Sequence, residues 1–268
     1  MIEIKSKIIN LKFDKNTNEV FLNNNKLKAD ERKVRDMKPV LMCEEIQENL
    51  LDKTLYYMFR DVKREEDKEK LGNIRFDITA IIPGKICGEY IKTFGHVHSY
   101  PENSSLSYPE VYQVLNGQAL FVLQKYNDSL IVEEVILVEG LKGDIVIIPP
   151  NYGHVTVNIG EDMLVMSNLI SRNCKSDYKR YEERRGAAVY AVSKEVKGVP
   201  EIFINGAKII RNKNYKEEFK ITYYENPKEH NSRFLKKDFP SGENLYDLLV
   251  LKLYDFSFLE KPSLMIAK

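Results

Sequence analysis

The middle of the chain is a series of short apolar runs, rich in Val, Ile, Leu, Tyr and Phe and separated by Gly, Pro, Asn or Asp. These runs predict strands over residues 54–62, 74–83, 88–97, 110–115, 119–124, 130–138, 144–149, 154–159 and 163–170. Asn116-Gly117 predicts a type I′ hairpin over residues 112–124, because this dipeptide tolerates the positive φ angles of that turn. Many short strands without helices between them indicate an all-β barrel or a double-sheet jelly roll.

The segments on either side of this strand-rich region have a different pattern. Residues 38–51 and 178–185 each predict a helix, and Gly186 ends the second. The chain is polar and lysine-rich beyond residue 212 and then apolar over 245–259, a stretch that must pack on its own core or on a partner subunit. We therefore divide the chain into an N-terminal flanking segment (1–50), a central domain (51–200) and a C-terminal extension of unassigned role (201–268).

Charge and composition narrow the classes of function. The 268 residues include 41 Lys and Arg and 40 Asp and Glu, which gives a net charge of +1. A general electrostatic attraction to nucleic acid or to an anionic membrane is therefore not expected. No apolar run reaches the ~18 residues of a transmembrane helix, and the first ten residues lack the apolar core of a signal peptide. Cys43, Cys87 and Cys174 are odd in number and far apart, so no disulfide framework is expected and a reducing cytoplasm fits best.

Three of the four histidines fall in the strand-rich region. His96 and His98 are two residues apart at the end of a strand-like run, so both side chains project from the same face. Glu110 begins the next run, and His154 follows a Pro-Pro-Asn-Tyr-Gly turn. Three imidazoles and a carboxylate suit one transition-metal ion with open positions, although each residue alone is more often an ordinary surface or core residue. His230 lies in a polar stretch and is expected at the surface.

Two stretches resemble the archaeal-type cupin phosphoglucose isomerases. They are IIPGKICGEYIKTFGHVH at 81–98, continued by YPEVYQVLNGQALFVLQ at 108–124, and GDIVIIPPNYGHVTVNIG at 143–160. Pro-Gly-Lys, Glu-Tyr, Thr-x-Gly-His-x-His and Glu-Val-Tyr in this order are similar to that family's own signature, and the similarity covers residues 50–200. The resemblance implies an all-β cupin fold, a double-stranded β-helix or jelly-roll barrel, with flanking helical or irregular N- and C-terminal segments.

The same resemblance implies roles for individual residues. The implied metal ligands are His96, His98, Glu110 and His154. The implied phosphate-binding residues are Thr79, Thr93 and Gly95, although β-propensity alone would explain both threonines. The implied sugar-pocket residues are Tyr56, Tyr112 and Tyr178, and Glu110 and Tyr112 are the candidate catalytic residues.

The chain departs from the family pattern in the stretch LISRNCKSDYKR at 169–180. Ile170 stands where the family usually has Tyr, and Ser176 stands where it has a His that has been considered a proton-handling residue. Asp177 and Tyr178 match the pattern. Arg172, Asn173 and Lys175 are candidate substitutes for the missing His.

The resemblance implies an aldose–ketose isomerase of glycolysis and gluconeogenesis that interconverts glucose 6-phosphate and fructose 6-phosphate. It implies one divalent metal ion per subunit (Fe, Mn, Ni or Zn), and a cis-enediol route and a hydride shift are both open. The alternatives are a metal cupin that acts on another sugar phosphate or as an oxygenase, and a sugar-phosphate-binding cupin without turnover. The expected partners are a small sugar phosphate and a second copy of the chain in a homodimer, with no nucleic acid and no membrane.

Overall fold

A computed structural model of the chain describes residues 1–14, 16–17, 19–127, 129, 131–235 and 237–265. The N-terminal strands are β1 (Ile2–Lys5), β2 (Asn10–Asp14), β3 (Glu19–Leu22) and β4 (Asn25–Lys26). They are followed by β5 (Asp30–Lys33), β6 (Thr54–Phe59), β7 (Ile74–Ile81), β8 (Lys85–Ile86), β9 (Glu89–Tyr90), β10 (Val97–His98), β11 (Glu110–Asn116), β12 (Gln118–Tyr126) and β13 (Val132–Leu141). The remaining strands are β14 (Ile145–Ile148), β15 (Tyr152–Asn158), β16 (Leu164–Ser171), β17 (Ser176–Asp177), β18 (Val189–Val192), β19 (Pro200–Ile204), β20 (Ala207–Arg211) and β21 (Lys220–Tyr224).

Helices are few and short. The α-helices are α1 (Val34–Met37), α2 (Lys68–Leu71), α3 (Lys179–Glu183), α4 (Pro227–Ser232) and α5 (Leu245–Val250). Single 3₁₀ turns cover Lys38–Val40, Glu48–Leu50, Glu65–Asp67, Ser257–Leu259 and Pro262–Leu264. None of the helices in the described part of the chain is long and apolar enough to cross a membrane.

Two main sheets form the barrel. The first has the strand order β14-β11-β16-β7-β6-β5, and the second has the order β15-β12-β13-β21. Every pairing in them is antiparallel except that of β13 with β21. Val114, Phe121, Ile136 and Ile148 are buried in one apolar cluster between the sheets, as expected when alternate residues of each strand face inward. The prediction of an all-β jelly-roll barrel is therefore confirmed.

The six-stranded sheet is covered on its outer face as well. Phe76 and Ile78 of β7 lie in a second apolar cluster with Phe13 of the N-terminal sheet and Leu245 of α5. The N-terminal flank thus supplies a four-stranded sheet in addition to irregular structure. The apolar stretch 245–259 packs on its own chain, where Tyr246 donates a hydrogen bond to Asp67.

The predicted strands occur with shifted ends, and one is broken. Residues 88–97 form only the two-residue strand β9 and the first residue of β10, joined by an irregular segment. Leu130, the predicted start of the 130–138 strand, lies outside the described residues.

The hairpin predicted at Asn116-Gly117 is wrong. β11 pairs with β14 and β16, whereas β12 pairs with β13 and β15, so the chain passes here from one sheet to the other. Gly117 has a positive φ of 84°, but Asn116 remains in β11. A Cβ atom on Gly117 would lie 2.9 Å from the carbonyl oxygen of Met163. The glycine therefore permits a close crossing between the sheets and not a type I′ turn.

Of the two predicted helices, one is confirmed. α3 lies within residues 178–185, and Gly186 follows it with a φ of 107°. The helix predicted over 38–51 is wrong, because this segment has only two isolated 3₁₀ turns joined by irregular chain. The apolar residues of this segment do not follow a regular helical spacing. Residues 38–51, called the strap below, pack against the barrel.

Two further expectations are corrected. His230 is fully buried, because its Nε2 atom lies 2.8 Å from the carbonyl oxygen of Ile147 and its ring packs on Phe234. Cys43 and Cys87 form a disulfide that ties the strap to the turn between β8 and β9, while Cys174 is free. A separation of 44 residues leaves no local signal for this pair.

Candidate active site

A cavity at one end of the barrel gathers the candidate site residues. Its lining includes six residues singled out as substrate-pocket or catalytic candidates: Tyr56, Thr79, Thr93, Gly95, Tyr112 and Tyr178. His96, Glu110 and His154 line the same cavity. The inward-facing residues of β6, β7, β11, β15 and β16 therefore converge with the irregular segment before β10.

Four side chains form a compact cluster, and three of them are part of the wall of this cavity. One ligand atom from each of His96, His98, Glu110 and His154 lies within 4.8 Å of every other. Backbone hydrogen bonds in both directions join His96 to His154, so two separate segments of chain are fixed side by side. Glu110 Oε2 lies 3.4 Å from His98 Nε2 and 3.2 Å from His154 Nε2.

The hydrogen bonds around the cluster fit a bound cation. His98 Nδ1 lies 2.8 Å from the carbonyl oxygen of Tyr108, which can only accept, so Nδ1 carries the proton and Nε2 offers a lone pair. Glu110 Oε2 is buried and has no hydrogen-bond partner among the described residues. Convergent lone pairs and an unsatisfied buried carboxylate oxygen are what a metal ion would satisfy. These four residues therefore suit one transition-metal ion.

Burial and mutual contact shift the pKa values in the cluster. Burial, then the nearby rings of His154 and His98, hold the pKa of His96 well below its ordinary value. Burial also lowers the pKa of His154, although the nearby carboxylate of Glu110 acts to raise it. Burial alone would raise the pKa of Glu110, but the close approach of His154 and His98 to its carboxylate lowers it. The neutral imidazoles and the ionised carboxylate are the forms that ligate metals.

Asn168 is a site residue that the sequence analysis missed. Its Nδ2 atom donates a 2.6 Å hydrogen bond to Glu110 Oε1, and both residues are buried. This bond holds one carboxylate oxygen and leaves Oε2 directed at the histidines. The available signal was a single amide within the apolar run of β16.

The aromatic and hydroxyl residues surround the cluster. The hydroxyl of Tyr112 lies 3.5 Å from His154 Nε2, and burial, with Glu110 nearby, raises the pKa of Tyr112. The backbone N–H of Phe94 donates to the hydroxyl of Tyr56, and burial raises the pKa of Tyr56 to about 12. Thr93 Oγ1 accepts from the backbone of Thr156. These hydroxyls keep their own protons to donate to a ligand.

The two departures from the family pattern also line this cavity. Ile170 and Ser176 are both part of its wall. Of the candidate substitutes, Arg172 pairs with Asp61 at 2.6 Å and Lys175 lines a neighbouring cavity. Ser176 also lines that neighbouring cavity, so Lys175 lies near it there, but none of Arg172, Asn173 and Lys175 is in the described lining of the cavity that holds His96, Glu110 and His154.

Charged residues in the cavity wall were missed as well. Arg60 and Arg75 both line it, with Asp77 between them. Burial raises the pKa of Asp77, although Arg75 and Arg60 favour its charged form. Charges in strands usually indicate a solvent-facing side, so the sequence pattern did not mark them as site residues.

The strand order of the barrel and the His and Glu cluster at its end define a cupin with a candidate metal centre. A family model described as Glucose-6-phosphate isomerase (GPI) matches residues 31–203, and the chain belongs to that family. A glucose-6-phosphate isomerase of Thermococcus litoralis is 29% identical over 157 residues, which cover 59% of this chain and 77% of the relative. The enzyme of that name from Thermococcus gammatolerans is 30% identical over 155 residues, covering 57% of this chain and 75% of the relative.

Solved structures that match this chain include two cupin enzymes. Oxalate decarboxylase from Bacillus subtilis at pH 4.6 has a TM-score of 0.32 and 17% identity, over 46% of this chain and 28% of that chain. Oxalate oxidase in complex with the substrate analogue glycolate has a TM-score of 0.30 and 17% identity, over 40% of this chain and 46% of that chain. The fold assignment rests on the strand order described above.

Proposed function

We propose that the chain interconverts glucose 6-phosphate and fructose 6-phosphate. The observation that carries this proposal is the cluster of His96, His98, Glu110 and His154 inside a cavity lined by hydroxyl groups. Membership of the glucose-6-phosphate isomerase family supports the same substrate class. A divalent cation held by the four residues would polarise neighbouring sugar oxygens and stabilise negative charge on them.

Glu110 is the residue best placed to move a proton. Its Oε1 atom is held by Asn168, while Oε2 faces the open centre of the cluster. On the enediol route, Oε2 takes the proton from C2 of glucose 6-phosphate and returns it to C1. Tyr112 lies beside His154. On the same route its hydroxyl gives a proton to O1 as negative charge develops there and takes the proton that O2 releases, so Tyr112 ends the reaction protonated. On the hydride-shift route, Glu110 remains a ligand and carries no proton.

Positioning is the second task of the cavity. Thr79, Thr93 and Gly95 supply hydroxyl and backbone donors for a phosphate, and Tyr56 and Tyr178 flank the sugar. The ring of Tyr178 packs against Phe94 and His96, at centroid distances of 5.4 and 5.5 Å. Binding energy from the remote phosphate then orients the reacting carbons.

The test is the reaction itself, followed by NMR with glucose 6-phosphate labelled with ¹³C at C1. The metal-loaded protein is expected to form fructose 6-phosphate and to reach the same equilibrium from either side. Run in D₂O, deuterium at C2 or C1 supports the enediol route, and full retention of hydrogen supports the hydride shift. Absence of interconversion by metal-loaded protein would contradict the proposal.

Ser176 and Ile170 favour a second candidate, a metal cupin that acts on another phosphorylated sugar. Both change the cavity wall relative to the family pattern. A panel of hexose and pentose phosphates, assayed with and without oxygen, separates the candidates. Oxygen uptake supports an oxygenase, and phosphate-sugar binding without any turnover supports a binding protein.

Metal identity, assembly and location complete the proposal. We propose one Fe, Mn, Ni or Zn ion per subunit, a homodimer, and a cytoplasmic place in glycolysis or gluconeogenesis. Elemental analysis identifies the metal. Light scattering after size exclusion is expected to give twice the 31.2 kDa of one chain, and a mass of 31.2 kDa would contradict the dimer.

A further inference from the structure

We propose that Arg60 and Arg75, which lie beside Asp77, bind the phosphate of the substrate and set the preference for a phosphorylated sugar. This inference rests on the proposed function, because it takes a sugar phosphate as the ligand. It assigns the charge of the phosphate site to two residues that no motif marks.

Arg60, Arg75 and Asp77 form one group of charged side chains in the cavity wall, called the bracket below. Arg75 Nε donates a 2.8 Å hydrogen bond to Asp77 Oδ2, and Arg60 Nη1 lies 3.8 Å from the same oxygen. The backbone N–H of Asp61 donates to the other oxygen of Asp77 at 2.7 Å. Both carboxylate oxygens are thus engaged, and Asp77 is buried. Asp77 therefore holds Arg75 by a hydrogen bond and lies near Arg60, whose Nε atom is also 3.7 Å from the exposed carboxylate of Asp30.

The arginines keep donors that the protein does not use. Arg75 bonds Asp77 through Nε, and its Nη groups have no hydrogen-bond partner within the described ranges. Among the described residues, Arg60 donates a hydrogen bond only to the weak acceptor Met58 Sδ, at 3.2 Å, and its contacts with Asp30 and Asp77 are 3.7 and 3.8 Å long. A guanidinium that faces a cavity with free Nη groups is suited to two-point binding of a phosphate.

Two residues of the bracket, Arg75 and Asp77, lie on the same strand as the hydroxyl donor Thr79. Arg75, Asp77 and Thr79 alternate along this strand, so all three face the cavity. Asp77 is paired in register with Asn168, the residue that holds Glu110. Ile170 of β16 pairs in register with both Glu110 and Arg75, so a ligand that reaches from Glu110 across this strand meets Arg75. Thr79 lies four residues further along β7 and pairs with Met58, two residues before Arg60. Hydroxyl groups alone provide no charge to balance a phosphate dianion, and the arginines do.

A purely structural role explains the bracket less well. Arg75 Nε and the backbone N–H of Asp61 already satisfy both oxygens of the buried Asp77, so its burial does not require Arg60 or the Nη groups of Arg75. The Arg60 side chain is 41% exposed, and its ion pairs contribute little to stability. Among the described residues that line the cavity, Arg60 and Arg75 are the only Lys or Arg side chains. Their location therefore points to a ligand.

The test compares Arg60→Gln and Arg75→Gln with the wild-type chain. The matched control is Arg35→Gln on α1, which removes an exposed ion pair with Asp52; neither residue lines the cavity. Each cavity variant is expected to raise KM for glucose 6-phosphate and the inhibition constant of inorganic phosphate roughly tenfold or more, with a smaller change in kcat. An Arg75→Lys variant is expected to restore part of the phosphate affinity, because the charge returns without the two-point geometry.

The outcomes separate this inference from the proposed function. Unchanged inhibition by inorganic phosphate in both Gln variants, with unfolding midpoints near that of the wild type, would overturn it. If the wild type does not isomerise hexose phosphates, the proposed function fails, and calorimetric binding of inorganic phosphate to the same variants still decides the role of the arginines. A loss of phosphate affinity in Arg35→Gln would also overturn it, because the effect would then not be local.

Discussion

Asn168→Leu tests how the protein holds Glu110. The substitution keeps the size of the side chain but removes the 2.6 Å hydrogen bond from Nδ2 to Glu110 Oε1. Both partners are buried, with 4% and 3% of their surface exposed, so water does not replace the lost donor. A hydrogen bond to a charged group contributes about 1.5–3 kcal/mol, which corresponds to roughly 10- to 150-fold in an equilibrium or rate constant.

The expected result is a loss of kcat within this range, with little change in KM for the sugar phosphate, because Asn168 positions Glu110 and the phosphate donors are intact. Metal affinity is expected to fall roughly 10- to 100-fold, as for other residues that orient ligands. The assays are steady-state isomerase kinetics at saturating metal and a competition titration with a chelator.

Ser167→Ala provides the matched control. Ser167 is adjacent on β16, faces the opposite side of the sheet and is fully buried, and its Oγ atom has no hydrogen-bond partner among the described residues. This variant is expected to keep wild-type kinetics and metal affinity. Wild-type kcat and metal affinity in Asn168→Leu would refute the positioning role of Asn168.

Three other predictions concern His230, Gly95 and Cys43. Burial lowers the pKa of His230 from its ordinary 6.5 to about 4, so the unfolded chain binds more protons between these values. The free energy of unfolding, measured by denaturant titration, should therefore fall by up to about 3 kcal/mol as the pH drops from 6.5 to 4. The fall should be smaller in His230→Gln. An equal dependence of unfolding free energy on pH in the two proteins would argue against this. Gly95→Ala should lower the free energy of unfolding by about 2–4 kcal/mol and remove most of the activity. The reason is that Gly95 has a φ of 88° and that a Cβ atom there would lie 2.5 Å from Val155 Cγ2. An unchanged thermal unfolding midpoint would contradict this. Cys43→Ser should lower the free energy of unfolding by about 2–4 kcal/mol, and reduction of the wild type should have the same effect, because both remove the disulfide with Cys87. Peptide mass mapping that finds Cys87 unpaired in the wild type would contradict this.

The sequence located the histidine and glutamate cluster because its signals are local. Two histidines separated by one residue share a strand face, and His154 follows a turn that opens the next strand. The structure brings these residues to one point through the backbone bonds between His96 and His154. Their roles as ligands stay predictions until a metal is measured.

Long-range packing explains why the hairpin could not be predicted. Asn205-Gly206 does join β19 and β20, with positive φ at both residues, as the dipeptide rule expects. Asn116-Gly117 carries the same two residues but joins strands of different sheets. The dipeptide indicates a change of direction, and only contacts with the distant residues Met163 and Leu164 decide which strand becomes the partner.

Polar residues in unexpected places account for the other misses. His230 lies in a polar stretch, yet a carbonyl of β14 from 83 residues away accepts its proton and draws it into the interior. Asp77 and Asn168 are polar residues within largely apolar strands, and their hydrogen-bond partners are Arg75 on the same strand and Glu110 on the neighbouring strand. A sequence pattern shows that such residues interrupt a strand but does not identify their partners.

The most direct test of the central claim is metal content measured together with isomerase activity. Purified wild-type chain is expected to hold about one divalent ion per subunit, to lose turnover of glucose 6-phosphate when the ion is chelated, and to recover it on reloading. His98→Ala is expected to lose both the ion and the activity while keeping its fold, as judged by circular dichroism. Full activity in metal-free protein, or a stoichiometric ion in His98→Ala, would contradict the account.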